Sequence, residues 1–503
     1  MATEFTGSDK ANLLSTALTA DSGDNIAITA TSDAVVTGLD KKDTIVIGVD
    51  VSDFTVSGGT DNDTISVTGS ATTSDIQGNR GDDTINVTGE LTNTAVKGGE
   101  NNDTIILTAA LDGASVYGGS GNDSITFNKN TATVQDSLFQ DGSGNNNFAI
   151  TSQTFNDSTV NGGSGSDTIA ITAGSGSSDA SVQGGEGKDT ITLTADTTDG
   201  FVAGGEGNDS VTVVGAFQTS SLFGGAGNDT LTVTLAANET DGSLIQDGSG
   251  NNVISLTATS TVDTLTVNGG DGSDSLSITA ATEDTVFKGG AENDSVLITG
   301  TLTESTLYGG SGADTIMVDG NITDALLQTG TGKNVFDIDG TTNATINGGD
   351  GNDSLVLTGA ITGGSYSFGD GDDSLNADGA ATDSKGTFTL GAGNDLAQFT
   401  DTVTSSTIYL GQGNDTVTAG DLMSSTTIST QSGNNRFALE QADSITLTAG
   451  DGNDTLNATA AVSNATLGFG GGKDTVDFDA AFDTSELTLG DGNDNVAVAN
   501  TET

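Results

Sequence analysis

The chain has 503 residues and carries 12 basic against 70 acidic side chains, so its net charge is 12 − 70 = −58. It contains no His, Cys, Pro or Trp, which excludes disulfides, thiolate or imidazole catalysis and an ordinary zinc site. The acidic excess excludes nucleic acid as a natural partner, because no basic face is available to meet phosphate. Abundant glycine and few aromatic residues argue against several conventional cores, and the 33% apolar fraction argues against plain disorder.

The first residues stand apart from the rest of the chain. Residues 12–18 could form a short helix, and we predict an N-terminal cap or assembly segment over residues 1–19. Residues 1–10 lack the basic start and apolar run of a cleaved secretory signal. No stretch of eighteen consecutive apolar residues occurs, so no membrane span is predicted.

From residue 20 to residue 498 one phrase, Gly-Gly-x-Gly-Asn-Asp-Thr-Ile-x-Val-Thr, recurs at steps of about 20 residues. A fixed period of this length is typical of a solenoid. Eleven clear copies begin at Gly58, Gly98, Gly118, Gly162, Gly184, Gly204, Gly224, Gly269, Gly289, Gly309 and Gly348. Twelve weaker copies begin at Gly38, Gly78, Asp141, Asp247, Thr329, Phe368, Leu390, Leu410, Thr430, Ala449, Phe469 and Leu489.

Each period reads as two short strands joined by turns. After the glycine turn, residues alternate between polar and apolar, as in 64–68, and a second short strand leads back to the next glycines. Apolar residues at fixed phase, such as Ile65 and Val67, would face one thin interior shared by all coils. The prediction is an all-β, right-handed parallel β-solenoid (β-roll-like), with about 20 residues per coil, two sheets and about 24 coils over residues 20–498.

An aspartate stands at the sixth position of 19 of the 23 copies. Stacked coils would place these carboxylates about 4.8 Å apart. Their repulsion, on the order of 1 kcal/mol per pair in water and about 3–4 near a protein surface, would oppose stacking. A bound cation removes this objection, and carboxylate and carbonyl oxygens suit Ca²⁺ better than Mg²⁺. The predicted side-chain ligands are Asp43, Asp63, Asp83, Asp103, Asp123, Asp167, Asp189, Asp209, Asp229, Asp274, Asp294, Asp314, Asp353, Asp373, Asp395, Asp415, Asp454, Asp474 and Asp494.

The segment 118–125, Gly-Gly-Ser-Gly-Asn-Asp-Ser-Ile, resembles the nonapeptide of the repeats-in-toxin (hemolysin-type) calcium-binding family. Similar segments cover about nine-tenths of the chain. The resemblance implies a β-roll that binds Ca²⁺ between successive turns, with the aspartates as side-chain ligands. The family alternates two nonapeptides per coil, whereas this chain has one motif per coil, so we expect several Ca²⁺ ions in one row along one edge. By the same resemblance the glycines that would donate carbonyl oxygens are Gly58, Gly98, Gly118, Gly162, Gly184, Gly204, Gly224, Gly269, Gly289, Gly309 and Gly348.

Four copies carry asparagine at the sixth position: Asn146, Asn252, Asn334 and Asn435. They recur after 106, 82 and 101 residues. Because asparagine keeps an oxygen donor without the charge, these turns would be weak ion sites or amide ladders. Repeat drift and an inherited super-repeat of about five coils remain open as explanations.

The ends and the uniformity of the repeat lead to the functional hypothesis. Residues 499–503 form a short tail, and a terminal coil with so little cover favours head-to-tail stacking of copies. Carboxylates that are copies of one another do not suit catalysis, so we expect no enzyme. The resemblance to bacterial S-layer and cyanobacterial surface-fibril proteins implies an extracellular or cell-surface structural protein that polymerises with itself. Alternatives are an adhesin, with cell-surface polysaccharide as one partner, and a phage fibre or decoration protein.

Overall fold

The computed structural model describes residues 3–5, 25–28, 32, 34–38, 40–236, 242–378 and 385–499. Within these ranges the chain is all-β, and its strands stack in parallel as a β-solenoid of about 23 turns of about 20 residues. The predicted fold class is therefore confirmed. The helix expected at residues 12–18 lies outside the described residues, as do residues 500–503 of the tail. None of the described residues belongs to a helix that could cross a membrane.

The chain divides into two compact units, Met1–Thr259 and Ser260–Thr503. Each turn begins with a first-face strand that directly follows the glycine turn, and it returns along a second-face strand that leads into the next glycine turn. Between the two lies a strand of two or three residues in the variable stretch, which the sequence pattern did not predict. Two residues are too few to show alternation, so only the stacking of neighbouring turns reveals this short strand.

In the first unit the strands run as follows. The first-face strands are Thr3–Phe5, Asn25–Ile28, Thr44–Ile47, Thr64–Val67, Thr84–Val87, Thr104–Leu107, Ser124–Asn128, Asn147–Ser152, Thr168–Ala173, Thr190–Thr194, Ser210–Val214, Thr230–Leu235 and Val253–Ala258. The short strands are Val51–Ser52, Ala71–Thr72, Leu91–Thr92, Leu111–Asp112, Thr133–Gln135, Thr154–Asn156, Ser177–Ser178, Thr197–Thr198 and Phe217–Gln218. The second-face strands are Val35–Thr37, Thr55–Gly59, Asp75–Arg80, Ala95–Glu100, Ser115–Ser120, Leu138–Gln140, Thr159–Ser164, Ser181–Glu186, Phe201–Glu206, Ser221–Ala226 and Leu244–Gln246.

In the second unit four first-face strands continue through the corner and absorb the short strand. The first-face and short strands are Val262–Asp263, Ser275–Thr279, Thr282–Glu283, Ser295–Thr299, Leu302–Thr303, Thr315–Thr323, Val335–Thr342, Ser354–Leu357, Ile361–Thr362, Ser374–Ala377, Leu396–Phe399, Val403–Thr404, Thr416–Ser424, Arg436–Asp443, Thr455–Ala458, Val462–Ser463, Thr475–Phe478, Phe482–Asp483 and Asn495–Val498. The second-face strands are Thr266–Asp271, Val286–Ala291, Thr306–Ser311, Leu326–Gln328, Thr345–Asn347, Ser365–Ser367, Thr387–Thr389, Thr407–Gln412, Thr427–Ser432, Thr446–Thr448, Thr466–Gly468 and Glu486–Thr488, and the glycine turns add Gly471–Gly472 and Asp491–Gly492.

Register along each stack is set by matching positions of the repeat. Ile65 pairs with Ile85 and Ile85 with Ile105, so equivalent apolar residues lie above one another and are fully buried. Polar residues of the same strands face outward, which gives the alternation of buried and half-buried positions. A turn cannot bury its apolar face alone, and it gains this burial only against its two neighbours.

The edge opposite the glycine turns is closed by buried hydroxyl groups. The Ser74 Oγ accepts a hydrogen bond from the Phe54 backbone N–H at 3.2 Å and donates to the Thr72 carbonyl oxygen at 2.9 Å. Thr94 repeats this arrangement one turn further on, where it accepts from the Ser74 backbone N–H. These hydroxyls both donate and accept, so the polar groups at this edge satisfy one another.

Candidate metal centre

The glycine turns stack so closely that a side chain would prevent contact between them. Gly119 and Gly121 have φ angles of +124° and +137°, a region that L-residues rarely adopt. A Cβ atom at Gly119 would lie 1.9 Å from the carbonyl oxygen of Gly99 in the preceding turn. The glycines of the repeat therefore make the close stacking of this edge possible.

The aspartate at the sixth position points into the solenoid. Eighteen of the 19 predicted aspartates, all except Asp494, are at most 3% exposed, and the four asparagines that replace aspartate are at most 2% exposed. Asp494, in the last turn described, is half-buried. Each unit therefore carries one row of inward-facing carboxylates and amides, with one group per turn.

One oxygen of each carboxylate is bound to the neighbouring turn. The Asp103 Oδ1 accepts a hydrogen bond from the Asp83 backbone N–H at 2.8 Å, and the Asp123 Oδ1 accepts from the Asp103 backbone N–H at 2.6 Å. Asn146 continues the row, since its Oδ1 accepts from the Asp123 backbone N–H. We call this repeated contact the Oδ1 ladder. It runs from Asp43 to Asn252 in the first unit and from Asp274 to Asp494 in the second.

The Oδ1 ladder was missed by the sequence analysis, which treated the aspartates only as ion ligands. A signal was present, because asparagine is the sole replacement at the sixth position. Asparagine and aspartate share an Oδ1 acceptor at the same distance from the backbone, whereas glutamate and serine do not. A hydrogen-bonding role therefore accounts for this restriction.

The other carboxylate oxygen has no hydrogen-bond partner. The Asp103 Oδ2 is buried, and no donor lies within hydrogen-bonding distance of it. A buried ionised oxygen without a partner is costly, so it calls for a proton or a cation. The same holds for the Oδ2 atoms of Asp63, Asp83, Asp123, Asp141, Asp167, Asp189, Asp209, Asp229, Asp294, Asp314, Asp353, Asp373, Asp395, Asp415, Asp454 and Asp474.

A second ladder, made by the residue at the fifth position, lies on the outer side of the same turn. The Asn122 backbone N–H donates to the Asn102 Oδ1 at 2.7 Å, and the Asn145 backbone N–H donates to the Asn122 Oδ1 at 2.7 Å. Here the later turn donates, whereas in the Oδ1 ladder the earlier turn donates. The two ladders together account for the Asn-Asp pair of the repeat.

Burial raises the pKa of many of the inward aspartates. At Asp103 burial raises the pKa to about 8; the hydrogen bond from the Asp83 backbone opposes this rise, and the charges of Asp123 and Asp83 add to it. The pKa is raised to about 7 at Asp83, Asp294, Asp373 and Asp415, and to about 6 at Asp63, Asp167, Asp189, Asp209, Asp353 and Asp395. Without a cation, these groups bind a proton at higher pH than an exposed aspartate does, and Asp103 favours the neutral acid at neutral pH.

The oxygen atoms beside Oδ2 are suited to coordinate a hard cation. A Cβ atom built on Gly98 would lie 2.3 Å from the Asp103 Oδ2 and 2.6 Å from the Gly118 carbonyl oxygen, so a carboxylate and a carbonyl of the next turn face the same point. Among the described residues no three acidic side chains gather into one metal cluster. An ion at this edge would therefore rely on backbone carbonyls for much of its coordination, which Ca²⁺ accepts. The same pairing of Oδ2 with the next glycine carbonyl occurs at Gly58, Gly78, Gly162, Gly184, Gly204, Gly269 and Gly289.

The residue at the first position of the motif determines how much space is left where Oδ2 and the next glycine carbonyl face each other. Glycine leaves room beside the carboxylate, and we call turns with glycine there glycine-first turns. From residue 368 onwards the first position holds a residue with a side chain. Those that are buried and apolar are Phe368, Leu390, Leu410, Ala449 and Phe469. The predicted ligands of these turns, such as Asp373 and Asp395, therefore lie in a more apolar setting than those of glycine-first turns.

The asparagine turns satisfy themselves. The Asn146 Nδ2 donates to the carbonyl oxygens of Gly144 and Gly162, and the Asn334 Nδ2 donates to the carbonyl oxygen of Gly348 at 3.0 Å. The amide thus occupies carbonyl oxygens that would otherwise be available to an ion. This geometry favours amide ladders over weak ion sites at these turns.

The chain matches no protein-family model, and no curated protein sequence is significantly similar to it. The resemblance to the repeats-in-toxin family therefore stays a prediction.

We predict that, in the presence of a chelator and without bound metal, the protein becomes less stable as pH rises. Many of the folded aspartates of the row, such as Asp63, Asp83 and Asp103, have a pKa above the ordinary value of 3.8, so between about pH 4 and pH 8 the folded state binds more protons than the unfolded state. The protonated carboxyl groups make their full contribution to folding stability below about pH 4, and this contribution is lost as pH rises through about 6 to 8. Thermal unfolding in chelator, followed by circular dichroism from pH 4 to 8, tests this. A Tm that rises with pH in chelator would contradict the geometry of the Oδ2 row.

Proposed function

We propose that this chain is a structural calcium-binding protein of the cell exterior, whose turns are held together by Ca²⁺ along the glycine–aspartate edge. The single observation that carries the proposal is the row of buried Oδ2 atoms without hydrogen-bond partners, which in most glycine-first turns face a backbone carbonyl of the next turn. A bound cation would supply the positive charge that these oxygens lack. The protein would assemble with further copies of itself into a surface layer, sheath or filament.

The location follows from the same chemistry. Without Ca²⁺ a chain of net charge −58 repels itself, and its buried carboxylates oppose folding at neutral pH. Millimolar Ca²⁺ outside cells would favour the folded state by mass action, whereas the low Ca²⁺ of a cytosol would not. The repeat's resemblance to the repeats-in-toxin family supports this proposal. A catalytic role is disfavoured because the carboxylates of the row are buried and closed to substrate.

Loss of a single row carboxylate tests the calcium row. Asp209→Asn keeps the Oδ1 acceptor for the Asp189 backbone N–H but removes the charge. We expect the variant to bind about one Ca²⁺ fewer per chain. In chelator we expect its free energy of unfolding to rise by about 1–3 kcal/mol, the usual cost of a buried unsatisfied polar group. Calcium binding by calorimetry and unfolding in urea measure the two effects.

Asp199→Asn is the matched control. It is the same chemical change ten residues away, at an exposed residue of the same unit. It should leave calcium stoichiometry unchanged and move stability by less than about 0.5 kcal/mol in either buffer. If Asp209→Asn behaves like this control in both buffers, the row does not bind calcium.

Imaging of the full chain tests self-assembly. In millimolar Ca²⁺ we expect ordered filaments or sheets by electron microscopy, because bound cations reduce the repulsion between acidic copies. Chelator should dissolve them. Separate particles at high protein concentration in Ca²⁺ would contradict the structural role and leave calcium binding standing.

An adhesive role is the second candidate, favoured by an open groove on the second unit. The groove has a volume of about 390 Å³ and is lined by Tyr409, Gln412, Gln431 and Asp370, among others. Tyr409 is 46% exposed. An exposed aromatic ring beside amide and carboxylate groups suits an uncharged polysaccharide.

Tyr409→Ala tests this second candidate. On a glycan array of neutral polysaccharides, an adhesin would lose at least about tenfold in affinity, the effect of losing about 1.4 kcal/mol of aromatic contact. The control is Tyr308→Ala, at a tyrosine that is 36% exposed and does not line this groove. Equal binding by the wild type and both variants would exclude the groove as the binding site.

A further inference from the structure

Two turns of the first unit carry a carboxylate at an unexpected position. Where the sixth position is Asn146 or Asn252, the first position holds Asp141 or Asp247 in place of glycine. Asp141 is 3% exposed and Asp247 is 1% exposed. These turns therefore keep one buried carboxylate each, but they move it from the sixth position of the motif to the first.

The move brings Asp141 against Asp123 of the preceding turn. The Asp141 Oδ1 accepts hydrogen bonds from the backbone N–H groups of Gly119 at 2.9 Å and Gly142 at 2.7 Å. The Asp123 Oδ1 accepts from the Asp103 backbone N–H. Both Oδ1 atoms are thus held by backbone donors, and this fixes the direction of both Oδ2 atoms.

The two Oδ2 atoms converge on one point. A Cβ atom built on Gly118 would lie 2.1 Å from the Asp141 Oδ2 and 2.7 Å from the Asp123 Oδ2. Both oxygens are buried, and no N–H or hydroxyl group donates to either, so each has only the other carboxyl group as a side-chain partner. In the ordinary glycine-first turns the same point faces one carboxylate and one neutral carbonyl. Here a second carboxylate replaces the carbonyl.

We propose that Asp123 and Asp141 form a two-carboxylate site for a divalent cation, tighter than the single-carboxylate positions of the row. Asp229 and Asp247 form a second copy, since their side chains also lie in contact. A Cβ atom on Gly224 would lie 2.1 and 2.6 Å from the two Asp247 carboxylate oxygens. The inference deepens the proposed calcium row, but it does not require the other turns to bind an ion.

The chemistry selects a hard cation. Two buried like charges at one point cannot both ionise without a positive partner. Burial raises the pKa of Asp141 to about 7, and the charge of Asp123 adds to this rise. Oxygen is the donor atom of both groups. Because backbone hydrogen bonds hold both side chains, they have little freedom to adjust to the strict octahedron that Mg²⁺ demands, so Ca²⁺ is favoured. With both side chains at most 3% exposed, the pair is closed to a larger substrate.

The second unit supplies a natural comparison. Its asparagine turns carry Thr329 and Thr430 at the first position. The Thr329 Cγ2 methyl would lie 2.7 Å from a Cβ on Gly309, and its hydroxyl donates to the Gly348 carbonyl oxygen. The methyl group therefore occupies the place that Asp141 fills with an oxygen. The fold accommodates threonine here, so threonine is a suitable replacement for Asp141 and Asp247.

Calorimetric titration of the full chain with CaCl₂ at about pH 8, after removal of metal, tests the pair. We expect the wild type to bind two ions at least about tenfold more tightly than the rest, since a second charge adjacent to the ion contributes more than 1.4 kcal/mol. Asp141→Thr should lose one of these tight ions, and the double variant with Asp247→Thr should lose both. Thr329→Asp should gain a third, and Asp209→Asn should keep both.

The outcomes separate this inference from the calcium row. If the wild type binds only two ions and the double variant binds none, the pair stands and the row falls. If the wild type binds many ions and the double variant keeps every tight one, the pair is overturned and the row stands. A wild type without calcium binding overturns both. Circular dichroism in calcium confirms that the variants are folded, and Thr329→Asp tests the pair without removing any native group.

Discussion

One physical constraint governs this molecule: most of the described turns bury a carboxylate and provide hydrogen-bond donors for only one of its two oxygens. The backbone N–H of the preceding turn holds Oδ1, and Oδ2 is left inside without a donor. Desolvation of an ionised oxygen outweighs a single amide hydrogen bond, which is why the pKa of Asp103 reaches about 8. Folding at neutral pH is therefore linked to whatever neutralises Oδ2, a proton or a cation.

The two edges of the solenoid differ in how their buried polar groups are hydrogen-bonded. At the short-strand edge, a hydroxyl such as that of Ser74 accepts a hydrogen bond from the preceding turn and donates one to a carbonyl of its own turn. Its hydrogen bonding therefore requires no charge. At the glycine edge, carboxylates accept only. Both edges lie beside the same apolar ladders, which supply most of the burial. The apolar packing and the carboxylates of the proposed ion row thus lie in different parts of each turn, so ions bound there would affect folding without changing the core.

The residue at the first position makes the turns chemically different although their backbones repeat. Glycine leaves a carboxylate facing a carbonyl, Asp141 places a second carboxylate there, Thr329 places a methyl group, and Phe368 and its successors place larger apolar groups. Because each turn contacts only its neighbours, such differences change affinity and stability locally. The proposed row of ions would therefore have graded affinity, with the paired carboxylates in the first unit.

The sequence alone determined the period, the all-β class, the stacking of equivalent apolar residues and the one aspartate per turn. These follow from local alternation and from exact repetition, which force equivalent side chains into register. Only the tertiary structure decided that the aspartate Oδ1 accepts a hydrogen bond from the preceding turn and that Oδ2 is buried without a donor. It also decided that a short strand lies in the variable stretch. The tertiary structure further decided that Asp141 faces Asp123, although the two residues occupy different positions in the motif. Each of these depends on the direction in which a side chain points along the stack, and that direction exists only once turns some 20 residues apart in the sequence lie in contact.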